Sequence, residues 1–387
     1  MIYTRRDIGR MGLAAGLASA FGSRLTAAPK PDSKIHGVQI GTITYSYRSM
    51  PDQSAEATLK YVVDSGISAI ELMGGPVNDW ARKKGNWDSS PAAVASEAAG
   101  RGGRGGRGGG GGRGPAVAYP PVAGMKTGFG NDQPAGQWNG KACPEGGEGA
   151  RGRGAGAGGG GRGRGEQTPE QKAAVDAERK WRLGLSMDIF KDLRKMYNDA
   201  GVSIYAVKDV RQEKDEDLDY TFTVAKTLGA THVTLELPNG PNAHETFKRV
   251  GDWALKYKMF TAYHTHQQGS MTALNDAFEI SKGNMANVDL GHFMAATNPG
   301  GTPLDFLNKF HDRIASYHLK DRTSVAHCAL NLPWGTGETP IPQILQTVAK
   351  NKWTMPGSIE LEYEIPVGSD AVKEVAKCLE FCRRALA

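Results

Sequence analysis

Five short apolar stretches of this chain run into ionisable residues. One ends Thr234-Leu235-Glu236-Leu237 and the next Tyr263-His264-Thr265-His266. Then come Val288-Asp289-Leu290-Gly291-His292 and Tyr317-His318-Leu319-Lys320-Asp321-Arg322. The last reads Gly357-Ser358-Ile359-Glu360-Leu361-Glu362. A lone carboxylate or imidazole in such a place is ordinarily a capping, solvated or packed group. Recurrence in five consecutive stretches points to one shared site. Several carboxylates are costly to bury together unless something neutralises them, and a divalent cation does so. Two glutamates, an aspartate and a histidine offer oxygen and nitrogen donors, which suits Mn, Mg, Co or Zn without choosing among them.

Apolar runs at 38–45, 69–73, 203–207, 232–237, 259–263, 287–290, 314–319 and 358–363 read as strands. Amphipathic segments at 55–65, 169–200, 218–228, 243–257, 271–282, 303–311, 341–351 and 369–384 read as helices. Eight strand–helix units predict an α/β fold, a (β/α)8 TIM barrel over residues 33–387, with chemistry at the C-terminal ends of the strands. No glycine-rich dinucleotide turn supports an open doubly wound sheet.

Two segments stand outside this pattern. Residues 1–28 begin with the paired Arg5 and Arg6, continue through a short Gly/Ala-rich apolar run and end in small residues, as a twin-arginine signal peptide does. The run is too short to span a membrane. Residues 98–165 form a low-complexity Gly/Arg-rich insertion in the second unit, expected to be disordered because it holds too little apolar surface to offset its ordering entropy. The less biased part between residues 116 and 143 is expected to pack locally. Glycine reaches 52 of 387 residues largely through this insertion. The net charge of +6 has the same origin: residues 1–28 carry +3 and residues 97–166 carry +5, so the remainder carries −2. The barrel therefore offers no broad basic surface for nucleic acid. Four cysteines, Cys143, Cys328, Cys378 and Cys382, make no CxxC pair and predict no disulfide framework.

The Tyr-His-Thr-His, Asp289-Leu290-Gly291-His292, His318-Leu319-Lys320-Asp321, Gly335-Thr336-Gly337 and Ile359-Glu360-Leu361-Glu362 pieces, in this order, resemble the successive signatures of the sugar phosphate isomerase/epimerase (xylose isomerase-like) family. The resemblance implies one divalent metal ion held by Glu236, Asp289, His318 and a glutamate of the last strand. The spacing from Gly357 favours Glu362 over Glu360. It also implies Glu236 and Glu362 as the acid/base couple. His264, His266, His292, Lys320, Arg322 and Glu71 are the expected substrate contacts, with Asp321 in support. His36, His232, His244, His311 and His327 fit no pattern and read as structural or exposed.

The expected function is that of an exported isomerase or epimerase acting on a sugar or keto-sugar through an enediolate. A lyase or dehydratase on a keto-sugar or 3-keto-glycoside would use the same residues. A non-catalytic carbohydrate-binding protein, a nuclease of the same barrel type and an RNA-binding role for the insertion are the competing readings. The leader predicts a periplasmic or secreted protein with a small carbohydrate as partner.

Overall fold

The apolar runs form strands because their β-branched and aromatic residues suit a pleated surface packed on both faces. A computed structural model describes residues 30–87, 134–143 and 168–387. The leader at 1–28, and the insertion at 98–133 and 144–165, lie outside the described residues. The strands are β1 (Val38–Ile43), β2 (Ala69–Met73), β3 (Ser203–Lys208), β4 (His232–Glu236), β5 (Phe260–His264), β6 (Asn284–Asp289), β7 (Ile314–Leu319) and β8 (Gly357–Ile359). Each pairs in parallel with the next, and β8 pairs back onto β1. The ring is the expected closed (β/α)8 barrel. A two-residue strand, Lys34–Ile35, adds an antiparallel rung to β1.

The helices differ from expectation in several places: the span 271–282 is helical only at Asn275–Ile280, and a short helix, Leu290–Met294, follows β6. The span 169–200 is two helices, Pro169–Leu183 and Asp188–Asp199, because Gly184 caps the first. A helix at Gly74–Lys84, which the turn-like Gly74-Gly75-Pro76 had concealed, follows β2 and packs Val77 and Trp80 into the core. Among the described residues no helix is long and apolar enough to cross a membrane.

Strand register sets the site. Glu236 pairs with His264, which pairs with Asn287 on β6, while Asp289 pairs with His318. The expected eighth strand, 358–363, ends early at Ile359. Side chains from the loop after β1 take over its hydrogen bonding: Ser46 Oγ accepts from Leu361 N at 3.0 Å, and Arg48 donates to Leu361 O. This leaves Glu360 and Glu362 projecting from an irregular segment, outside regular strand alternation.

Residues 134–143 fold as two short strands, Gln137–Trp138 and Lys141–Ala142. Trp138 is buried against Cys328 and Leu332, and Cys143 is disulfide-bonded to Cys328. Residues 134–143 lie within the less biased part expected to pack locally, and the disulfide was not foreseen. The two cysteines lie 185 residues apart, so no local spacing could announce the bridge. Cys378 and Cys382 are buried free thiols.

Asp217, buried on helix Asp215–Leu228, takes Arg179 at 3.0 Å and Arg182 at 2.9 Å from helix Pro169–Leu183. Replacing it leaves the buried Arg182 with Glu178 alone. Asp217→Ala should lower unfolding stability by about 3 kcal/mol, read as a fall in the urea midpoint with an unchanged m-value. A change below about 0.5 kcal/mol would make the network surface-like.

Candidate active site at the C-terminal rim of the barrel

His318 is the hub of the cluster. Its Nδ1 lies 2.7 Å from Glu360 Oε2 and its Nε2 lies 2.7 Å from Glu71 Oε2. Burial alone would favour a neutral imidazole, but the two carboxylates outweigh it and push His318 up to about 10. Burial would likewise raise Glu71, yet the imidazolium holds it at about 2. Asn287 donates to Glu71 Oε2 and to Ser316 Oγ, so its carbonyl oxygen faces His264 Nδ1 at 2.7 Å. That contact assigns the His264 proton to Nδ1 and leaves Nε2 as a bare acceptor. Burial, Lys208 and His318 keep His264 neutral, well below its ordinary pKa.

Asp289 completes the buried floor. Its Oδ1 accepts from His292 N at 2.7 Å, and its Oδ2 lies 2.9 Å from Lys320 Nζ. Lys320 also reaches Glu360 at 3.0 Å and Glu362 at 2.7 Å. These carboxylates hold the ammonium above its ordinary range against the opposing effect of burial. The glycine of Asp289-Leu290-Gly291-His292 makes this approach possible. A Cβ at Gly291 would fall 2.2 Å from Lys320 Cγ and 2.6 Å from its carbonyl oxygen.

Donor atoms of His264, Asp289, His318 and Glu360 all lie within 4.8 Å of one another. Two carboxylates and two imidazoles, one with its free nitrogen fixed by Asn287 and one backed by Glu71, match the needs of a borderline divalent cation. The residues therefore fit a metal, with the conditions that His318 gives up one ring proton and that an entering cation competes with the Lys320 ammonium for Asp289 and Glu360.

Two flanks adjoin this floor. On one, Glu236 takes Lys208 Nζ at 2.8 Å and His266 Nε2 at 2.9 Å. Partial desolvation would raise Glu236, whose side chain stays half exposed at the rim, but Lys208 and His266 outweigh it and hold the carboxyl well below its usual range. Glu236, His264 and His266 form a second compact trio. On the other flank, Arg322 Nη1 lies 2.6 Å from His292 Nδ1. An arginine only donates, so the His292 proton sits on Nε2, which points toward Glu362 Oε2 at 3.7 Å. Burial, Lys320 and Arg322 keep His292 neutral. β4 and β8 stand four strands apart in either direction round the ring, so Glu236 and Glu362 rise from opposite sides. Beside Glu362 opens a cavity of about 510 Å³ lined by Arg48, Leu330, Asn331, Tyr363 and Glu364 among others.

Of the residues named from sequence, Asp289 and His318 meet in the four-residue group. Glu360 joins them where Glu362 was expected; Glu362 sits on Lys320 instead. His264, named as a substrate contact, contributes to both groups, and Glu236 belongs to the adjoining trio. Glu71, also named as a substrate contact, is fully buried behind His318 and orients it. Asp321 faces away and accepts backbone N–H groups from Gly335, Thr336, Gly337 and Thr339. Lys208, Asn287, Arg48 and Asn331 were missed. Lys208 and Asn287 carried a signal, each being a polar residue in or closing an apolar strand. Of the unassigned histidines, His232 is buried on Ser316, His244 pairs with Asp276 at the surface, His311 stacks on Trp353 and His327 bonds Glu338.

The closed (β/α)8 barrel carries its buried carboxylate–imidazole cluster at the C-terminal rim, the face where barrels of this kind bear their active sites. No family model and no curated protein matches the chain. It is similar to solved proteins of the xylose isomerase-like and sugar phosphate isomerase/epimerase type. A sugar phosphate isomerase/epimerase from Parabacteroides distasonis is 14% identical, over 92% of this chain and 97% of that one, with a TM-score of 0.48. The probable 3-DHS dehydratase AsbF of Bacillus anthracis is 12% identical over 89% and 98%, with a TM-score of 0.49. A xylose isomerase domain protein from Planctomyces limnophilus is 16% identical over 52% and 82%, with a TM-score of 0.41. What this chain does has to be read from its own site.

The ion pairs make metal-free stability pH-dependent. His318, raised from 6.5 to about 10, contributes fully below its unfolded value and loses its contribution as pH rises through about 10. Glu71, lowered from 4.5 to about 2, contributes fully above 4.5 and loses its contribution as pH falls through about 2. The pair therefore stabilises most between these unfolded values. In EDTA, the urea midpoint should fall from about pH 5.5 to about pH 9.5, and His318→Gln should flatten that fall. An equal slope in the variant would assign the pH dependence elsewhere.

Proposed function

We propose that this protein is an exported, metal-dependent isomerase or epimerase that moves a proton between adjacent carbons of a sugar or keto-sugar. The observation that carries this reading is the four-donor group at the barrel mouth, flanked across the ring by Glu236 and Glu362. One divalent ion bound there would polarise the carbonyl of a hydroxy-ketone and acidify the neighbouring C–H. Glu236, kept ionised by Lys208 and His266, is placed to accept that proton. Glu362, from the opposite side, would return one, supplied by the Lys320 ammonium paired with it, to the other face or the neighbouring carbon, while the proton taken by Glu236 passes to solvent. Lys208 and Lys320 hold each carboxylate in one orientation, so little reorganisation accompanies the transfer.

A lyase or dehydratase reading is favoured by one specific feature. His292 directs its Nε2 proton toward Glu362, and this buried nitrogen has no hydrogen-bond partner. Such a proton could be delivered to a departing hydroxyl or glycosidic oxygen. Export is supported by the leader-like residues 1–28 and by the Cys143–Cys328 disulfide, which belongs in an oxidising compartment.

Metal content separates the groups. The chain purified from about residue 29 should hold about one divalent ion, lost in Asp289→Asn and kept in Glu236→Gln. Loss in both variants would make Glu236 a ligand and place the ion toward β4. No binding to wild type, even in excess Mn or Zn, would sink the enzyme reading in favour of a carbohydrate-binding protein. With metal bound, wild type should exchange a carbon-bound proton of keto-sugars or 3-keto-glycosides with solvent. Glu236→Gln should slow this by about 100- to 10,000-fold. Unchanged exchange in Glu236→Gln would remove it from proton transfer.

A further inference from the structure

The loop that follows β7 is bound at one end to the site and at the other to the insertion. Arg322, buried three residues past the end of this strand, uses both ends of its guanidinium. Nη1 donates to His292 Nδ1 at 2.6 Å and Nη2 donates to the carbonyl oxygen of Ala329 at 2.6 Å. The direction of that carbonyl depends on an unfavourable backbone. Cys328 and Ala329 take φ of +78° and +48°, in the left-handed region that L-residues rarely adopt. Neither is a glycine, so the surroundings must impose the conformation.

Residues 134–143 supply part of that constraint. Cys143 is bonded to Cys328, the first strained residue. Trp138 is buried against Cys328 and Leu332 and lies 5.9 Å from the His327 ring. Gly136 N donates to Ala326 O at 2.8 Å, and Cys143 N donates to Gly136 O at 2.9 Å. From within the loop, Thr323 Oγ1 donates to His327 O and accepts from Leu330 N, both at 2.7 Å. Leu330 and Asn331, next in the chain, form a wall of the cavity beside Glu362.

We infer that residues 134–143, through the Cys143–Cys328 disulfide and Trp138, are a positioning element for the active site. They fix the Ala329 carbonyl, which fixes the Arg322 guanidinium, which holds the His292 imidazole with its proton on Nε2 toward Glu362. The folded middle part of the Gly/Arg-rich insertion thus completes the rim, and the completed state requires an oxidised disulfide. This inference does not depend on which reaction the site performs, or on a metal being bound.

The test reads the imidazole directly. Nitrogen-15 imidazole spectra of the full chain, in EDTA and at one fixed pH, would be assigned with His292→Asn. In the oxidised wild type, His292 should give the pattern of a single Nε2–H tautomer. In Cys143→Ser, and in wild type reduced with a phosphine, that pattern should be lost to a mixture of tautomers, and reoxidation of the wild type should restore it. Reversibility guards against mistaking unfolding for repositioning. Arg322→Gln, which cuts the relay with the disulfide intact, should give the same mixture, and adding Cys143→Ser to it should change nothing more. A His292 pattern unchanged on reduction and in Cys143→Ser would overturn the inference. So would independent, additive effects of Arg322→Gln and Cys143→Ser.

Discussion

Charge compensation inside the barrel mouth is the constraint on which the rest of the site depends. Glu71, Asp289 and Glu360 are withdrawn from water, as are His318 and Lys320. A single unmatched charge there would carry a desolvation cost large enough to unsettle the fold or neutralise the group. The structure meets this by interleaving opposite charges: Glu71, His318, Glu360, Lys320, Glu362 form one unbroken chain of contacts. His318 and Lys320 hold Glu71 and Glu360 in their charged forms, and the carboxylates hold these two cations in theirs. His318 and Lys320 stand two residues apart on one strand end, so a shift of β7 relative to its neighbours would move both cations off their partners.

The same arrangement explains why a barrel suits this chemistry. Parallel register brings Glu236, His264 and Asn287 to one level and Asp289 and His318 to another, from strands far apart in sequence. The backbone ladders hold these positions without help from the ionisable groups. The segments just past the strand ends, which carry Lys320, Glu360 and Glu362, are anchored by those ladders. Gly291 and the stapled end of β8 are the local adjustments: one lets Lys320 approach, the other lets two glutamates of one short segment serve different partners.

The insertion has two characters. Most of its length has a composition that cannot bury a core, yet residues 134–143 carry a tryptophan and a cysteine that do. A short segment of this kind gains little from its own apolar area, and a covalent link to the barrel removes much of the freedom it would otherwise lose on docking. That combination lets a ten-residue segment inside a tract rich in glycine and arginine dock firmly beside the site.

How much could be read in advance follows from the range of the forces involved. Strand and helix periodicity, caps and the polar endings of apolar runs are encoded within a few residues. The eight-unit barrel and the rim positions of Glu236, His264, Asp289 and His318 could therefore be read directly from the chain. The break at Gly184 and the helix begun by Gly74-Gly75-Pro76 were obscured, because glycine and proline signal turns whether or not a helix can tolerate them. Which glutamate of Glu360-Leu361-Glu362 joins His318 depends on Ser46 and Arg48, more than 300 residues away in sequence. The burial of Glu71, the choice of Lys320 as counter-ion and the Cys143–Cys328 pairing are likewise relations between distant segments. Spacing along a chain carries no information about them, because each is fixed by where the closed ring of strands places its ends in space.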